Sequence, residues 1–312
     1  MILESANQPI VRFRRNRFAM FGVWLLLALL LLVGIWPVTL TIARHSGRAG
    51  VAFAQRYHPE QLSDDQFQPP TVRHWFGTDV HGRDLFSRVL YGAQISLLVG
   101  LVGAGVSLII GVLWGAIAGY AGGRVDSAMM RIVDILYSLP SIILVIVLIT
   151  TLEGVLKRWL TGPAATGGAI RLLFLFVGLG AVSWLNMSRI VRGQVLSLRQ
   201  RPFIEASRAL GAGPLRILTR HLIPNTLGVV IVYLALTVPA VILYESFLSY
   251  LGLGIQPPMA SWGSLIAEGA DQINPIRIYW WLIVFPGGFL VCTLLALSFI
   301  GDGLRDAWEV KG

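Results

Sequence analysis

The chain has 312 residues, 55% of them hydrophobic and 13% charged, about half the charge of ordinary soluble domains. With a mean hydropathy of +0.71 this excludes a water-soluble core and points to a polytopic membrane protein. The net charge of +9 invites a nucleic-acid reading, but the arginines fall in loops between apolar runs, where membrane topology puts them, so no nucleic acid is expected. One cysteine, Cys292, permits no intrachain disulfide and no cysteine metal cluster.

Six apolar stretches reach the roughly 20 residues that cross hydrocarbon. They lie near 18–40, 93–121, 132–152, 171–191, 226–250 and 280–300. The first follows Arg12, Arg14, Arg15 and Arg17. It is too long for a signal peptide and lacks a small-x-small cleavage site, so it reads as a retained helix. The second, rich in glycine from Gly100 to Gly119, allows close helix packing. Between them, residues 41–92 form an extramembrane segment, either a small subdomain or a long irregular connection. Residues 153–170, with Thr-Gly-Pro-Ala-Ala-Thr-Gly-Gly, read as a flexible loop. The chain divides at 92. Residues 1–92 hold a tail, the first helix and the external segment, and 93–312 form the transmembrane core with a loop at 192–224.

Placing both termini in the cytoplasm puts the basic clusters around Arg12–Arg17, Arg124–Arg131 and Arg189–Arg220 inside, along with Arg305 and Lys311. The outer arginines are then diluted over a long loop that also carries Glu60, Asp64, Asp65, Asp79 and Asp84. This is the orientation that the positive-inside rule favours.

The inner loop at 192–224 is basic and amphipathic. Residues 202–210 suggest a short helix with an apolar stripe of Phe203, Ala206, Ala209 and Leu210. Glu205 suits its first turn and Gly211 its end. Pro214 suits the start of a second helix, which Pro224 is expected to break before the fifth span. Arg216 and Arg220 share a face, and like charges so placed point to an acidic partner or lipid phosphates. The loop is either a knob that another protein grips or a solvated determinant of topology.

Glu205-Ala206-Ser207, Gly211 four residues beyond, and His221-Leu-Ile-Pro224 together resemble the EAA motif of permease subunits of bacterial ABC importers. Ser207, His221 and Ile223 depart from its general form. His221 to Asn225 is similar to the peptide and nickel branch, as are Trp75 to Arg88, Tyr91 to Ser96, Glu245 to Pro258 and Ser261-Trp-Gly263. The resemblance runs over roughly residues 73–305, with little from the first helix and 41–72. It implies an all-α inner (plasma) membrane protein with six transmembrane helices in the type I fold of ABC importer permeases. Glu205, Ala206, Ser207, Gly211 and Pro224 would belong to the helix that docks on the ATPases. Implied partners are a second permease, two ATPase subunits that bind ATP and Mg, and an external binding protein. Peptides are the implied substrates, with nickel or another small solute as the alternative. A self-contained secondary transporter is the rival from another class.

No Walker A loop and no His-Glu-x-x-His motif occur, so neither ATP hydrolysis by this chain nor a resident metal or cofactor is expected. His74 and His81 are too few for a metal site. Asp79, Arg83 and Asp84 read as an ion-pair and turn cluster at the external face. Asp126 and Asp134 read as pairing near Arg124 and Arg131. Asn186 is expected to bond between helices. Glu245, in the outer part of the fifth span, either faces an aqueous path or pairs with the loop around Ser261-Trp-Gly263. With Gly252 and Gly254 it is a candidate for the outer gate.

Overall fold

The computed structural model describes residues 2–159 and 168–308. The described residues form helices α1 (Ile2–Arg15), α2 (Arg17–Arg44), α3 (Gly47–Arg56), α4 (Leu85–Ala121), α5 (Gly123–Tyr137) and α6 (Ser141–Trp159). Then follow α7 (Gly168–Leu198), α8 (Pro202–Ala209), α9 (Pro214–Ile217), α10 (Ile223–Tyr250), α11 (Trp262–Ala270) and α12 (Trp281–Trp308). No strand forms among them beyond one isolated bridge, Thr78 to Asp84. The central part of the loop expected at 153–170 lies outside the described residues.

Six of these helices, α2, α4, α6, α7, α10 and α12, overlie the six apolar stretches. Helices α2, α4 and α12 and the run Pro214–Tyr250 are each long and apolar enough to cross a membrane. Helices α5 and α6 meet at 93° and together supply a fifth such element. The third stretch was expected as one span and is instead bent. Pro140 disfavours helical backbone at Leu139, and the chain turns at Ser138–Pro140.

Two further boundaries differ from expectation. Helix α4 begins at Leu85 rather than 93, because the Asp84 carboxylate accepts from the Ser87 amide at 2.9 Å and caps it. Pro224 does not break the chain's helical course. A π-helical turn, Leu218–Leu222, leads into α10, with Pro224 in its first turn. A proline nitrogen cannot donate to the carbonyl four residues back and its ring crowds that group, so the wider turn gives it room.

Helices α4 and α7 form the spine. A Cβ at Gly111 would stand 2.5 Å from Met187 Cβ, so only glycine permits this approach. Helices α10 and α12 pack on α4, and α2 packs on α12. The segment between α3 and α4 is an ordered irregular connection. Tyr57 Oη donates to the Arg73 carbonyl at 2.5 Å, the Gln68 amide donates to Thr78 Oγ1 at 2.9 Å, and Phe76 stacks on Phe285 at 3.9 Å. Trp36 at the end of α2 packs edge-on against Phe86 and Tyr57, which ties the connection to the bundle.

Candidate functional site

Four groupings stand out, two of them at opposite ends of α4. Its 37 residues span about 55 Å at 1.5 Å per residue. At its C-terminal end lies the α8–α9 hairpin. Pro202 opens α8, Glu205 stands exposed in its first turn, and Gly211 closes it at φ +80°. No atom lies within 4 Å of where a Gly211 side chain would start, so the conformation alone selects glycine. Ser207 Oγ turns back on the Phe203 carbonyl at 2.8 Å. The buried anchors are Ile204 and Ile217, which join Val195, Leu222 and Val230. The stripe of Phe203, Ala206, Ala209 and Leu210 faces outward, Leu210 being 89% exposed and Leu215 74%. Arg199 donates to the Gly119 carbonyl at 3.1 Å and ties the hairpin's root to α4. Arg216 and Arg220 are exposed on one side of the hairpin.

At the other end lies an ion network. Asp79 Oδ2 accepts from Arg83 Nε and Arg88 Nη1, both at 2.7 Å. Arg88 also holds Glu268 through Nη1 at 2.5 Å and Nη2 at 2.9 Å, and Arg83 Nη2 reaches Glu268 at 3.3 Å. Asp84 stands apart from this cluster. It caps α4 and pairs with His74 Nδ1 at 2.9 Å, away from His81. Among the described residues no group of three His, Cys, Asp or Glu is placed to hold a metal. Arg88 lies inside a recognised sequence motif, whereas nothing in the sequence marks Glu268 as its partner.

Glu245 is fully buried between α10, α4 and the segment leading to α11. Its Oε1 accepts from Ser249 Oγ at 2.7 Å and its Oε2 from Ser96 Oγ at 3.1 Å. Each serine relays a backbone amide. Ser249 Oγ accepts from Ile255 at 3.0 Å and Ser96 Oγ from Trp262 at 3.2 Å. The ion-pair form of the expectation gives way to this cage of hydroxyls, which joins Glu245 to the loop at Ser261–Trp262. Gly252 turns at φ +74°, and at Gly254 a Cβ would meet Ser249 Cα at 2.6 Å.

The fourth grouping was not legible in the sequence. A cleft of about 510 Å³ opens between α6, α7 and α10, walled by Tyr137, Asn186, Arg189, Tyr233, Thr237 and Tyr244. A second, of about 420 Å³, shares Arg189 and Tyr233 with it and continues to Arg305 and Trp308. Asn186 does not bond between helices as expected. It is exposed in the cleft, and its amide has no protein partner among the described residues. The pairings expected around Arg124 and Arg131 are also corrected. Asp126 holds Arg192 (2.5 and 2.7 Å) and Asp134 holds Arg189 (2.7 Å), because α7 brings these arginines alongside α5.

Long apolar helices, a polar-walled cleft among them and a basic hairpin at one end mark a helical membrane protein of the permease class. The family model described as binding-protein-dependent transport system inner membrane component matches residues 111–309, and the chain belongs to that family. A second model, the N-terminal TM domain of oligopeptide transport permease C, matches residues 10–70. The likeness therefore reaches the first helix and the following segment, to which the motifs alone gave little weight.

Among relatives, the dipeptide transport system permease protein DppC of Bacillus subtilis (strain 168) is 42% identical over 300 residues, covering 96% of this chain and 84% of its own. The oligopeptide transport system permease protein OppC of Escherichia coli (strain K12) is 49% identical over 238 residues, covering 76% and 72%. The fold is shared with a chain of the inward-facing MetNI methionine ABC transporter, at 21% identity and a TM-score of 0.51 over 72% of this chain and 97% of that one.

Proposed function

We propose that this chain is one of two permease subunits of an ATP-driven importer of peptides, and that the cleft between α6, α7 and α10 is its half of the solute path. The observation that carries this reading is the cleft wall. Asn186, Tyr233 and Tyr244 present polar groups on membrane-length helices without protein hydrogen bonds among the described residues. Such groups are costly in hydrocarbon and are suited by water or a polar solute. Peptides are favoured over nickel or another small solute because relatives at 42% and 49% identity are named dipeptide and oligopeptide permeases.

In this reading both termini and the α8–α9 hairpin are cytoplasmic. The outward-facing stripe on α8, with Glu205, Ala206 and Ser207, docks on an ATPase subunit, and Gly211 and Pro224 shape the knob. ATP and Mg are held by two such subunits. An external binding protein delivers the solute to the end where Asp79, Arg83, Asp84, Glu245, Gly252 and Gly254 lie. Closure of the ATPases moves the hairpins, and the bundle alternates between inward- and outward-facing forms.

The test is to purify the chain with its gene neighbours, reconstitute the complex in vesicles and measure uptake of a labelled tripeptide. Uptake that needs ATP and the binding protein is expected. Uptake by this chain alone, driven by a proton gradient without ATP, would instead establish a self-contained secondary transporter. ATP-driven uptake of nickel but not of peptide would replace the substrate.

A further inference from the structure

The cleft wall contains one cation whose donors are mostly unused. Arg189, on α7, gives Asp134 of α5 a single hydrogen bond, Nη2 to Oδ1 at 2.7 Å. Its guanidinium carbon lies over the Tyr137 ring, 4.1 Å from the centroid. A guanidinium has five N–H donors in a fixed fork. Among the described residues Arg189 uses one of them on the protein.

Arg192, one turn further along the same helix, supplies the contrast. Its Nε and Nη2 both reach Asp126, at 2.5 and 2.7 Å, so that fork is closed by a partner. The Arg189 pair is also the more exposed, with 36% of the arginine side chain and 61% of the aspartate accessible, against 34% and 9% for the other. An open pair of this kind contributes little and exchanges readily.

Position supplies the second argument. Arg189 lines both clefts and stands where they join. Asn186, three residues earlier on the same face of α7, offers an amide free of protein partners. Neither cleft has a carboxylate in its wall. A guanidinium half-held by an exchangeable acid, facing a polar cavity without fixed negative charge, is suited to bind a carboxylate in two-pronged fashion.

We propose that Arg189 recognises the terminal carboxylate of the passing solute, exchanging the single bond to Asp134 for a bidentate one while Tyr137 supports the guanidinium face. Asn186 adds a hydrogen bond from the same wall. This rests on the reading of the chain as a peptide importer. The same carboxylate chemistry has a second source, an acidic side chain of the other permease subunit closing over the cleft, and the test separates the two.

The experiment measures uptake by the complete reconstituted complex of a tripeptide and of its C-terminal amide, each at concentrations that saturate the binding protein. Wild type, Arg189→Gln and Arg189→Lys are compared. The acid-to-amide rate ratio is expected to fall about tenfold in Arg189→Gln, the loss of a charge-assisted contact. An intermediate fall is expected in Arg189→Lys, which keeps the charge but loses the fork. The lysine variant reads the same ratio if the glutamine variant fails to assemble.

An unchanged ratio with active transport overturns the inference and leaves the peptide reading intact. Loss of both rates together with loss of the second permease on gel filtration, in the lysine variant as well as the glutamine one, also overturns it, and assigns the carboxylate to that subunit. A wild-type complex that carries neither peptide overturns the substrate reading and this inference with it.

Discussion

Arg88, in the first turn of α4, and Glu268, on α11, lie 180 residues apart in sequence and meet through two hydrogen bonds of 2.5 and 2.9 Å. Asp79 shares the same guanidinium at 2.7 Å. The two sides of this junction respond differently to mutation. Arg88 and Asp79 are each 3% exposed, whereas a third of the Glu268 side chain is accessible. Arg88→Ala removes one of the two guanidinium groups on buried Asp79, leaving Arg83 at 2.7 Å, and should cost about 2–3 kcal/mol. Glu268→Gln leaves its partner with Asp79 and should cost about 1 kcal/mol. Melting temperatures of the purified complex check the order, and equal shifts would contradict it.

Gly211 sits at φ +80° with open space around it, so any penalty there is one of backbone conformation. Gly211→Val should strain the hairpin by about 1–2 kcal/mol, while Gly211→Asn, a residue that tolerates this region, should be nearly neutral. ATP hydrolysis without transport is expected for the valine variant and for Glu205→Lys. Normal transport in both would reduce the hairpin to a determinant of topology.

The Glu245 carboxylate accepts from three hydroxyls, those of Ser96, Ser246 and Ser249. Glu245→Gln introduces an amide donor among hydroxyls that all donate to the carboxylate, two of which, Ser96 and Ser249, already accept from backbone amides. The expected loss is about 1–3 kcal/mol, the penalty of a buried polar group without a partner. Thermal denaturation of the complex measures it. A variant as stable as wild type but with altered transport would favour the gate over the cage.

Burial pushes the Asp84 carboxyl above its ordinary value of 3.8, against the pull of the Ser87 amide and His74. The folded chain then holds this proton more tightly than the unfolded one. The group's favourable contribution is complete below pH 3.8 and is lost as the pH rises through the raised native value. Tyr57, itself raised chiefly by burial, is the neighbouring acid that feels Asp84. Asp84→Asn keeps the helix cap and removes the titration. Its stability relative to wild type should therefore improve as pH increases through that window, and a constant difference would sink the assignment.

Orientation is open to chemical labelling. In a Cys292→Ala background, single cysteines at 205–215 should resist a membrane-impermeant reagent in intact cells, and cysteines at 60–70 should react. The reverse pattern would invert the molecule.

The features carried by local chemistry were legible in the sequence. The α8 helix, its glycine stop and the proline opening of α9 follow from neighbouring residues, as does the Asp79–Arg83 pair. Features made by distant residues were not. Glu268 completes the Arg88 site from a different helix, and α7 redirects Asp126 and Asp134 toward Arg192 and Arg189. The apolar stripe on α8 was visible, but not that Ile204 beside it is the anchor. Nor does hydropathy distinguish a tyrosine facing a cleft from one facing lipid, so the Tyr233–Tyr244 wall emerged only from packing. The continuous course of the chain through Pro224 is not legible either, because a π-turn is a backbone accommodation with no signature of its own.

The close packing of α4 on α7 at Gly111 and Gly115 bears on how force would travel. Met187 of α7 seats on Gly111, a Cβ at Gly115 would stand 2.3 Å from the Ser188 carbonyl, and Arg199 fastens the hairpin's root to the carbonyl of Gly119, so α4 and α7 interlock. A pull on α8 would therefore act on the two helices together. The far end of α4 carries Arg88, so in the proposed importer the junction with Glu268 is where movement of the hairpin would be felt.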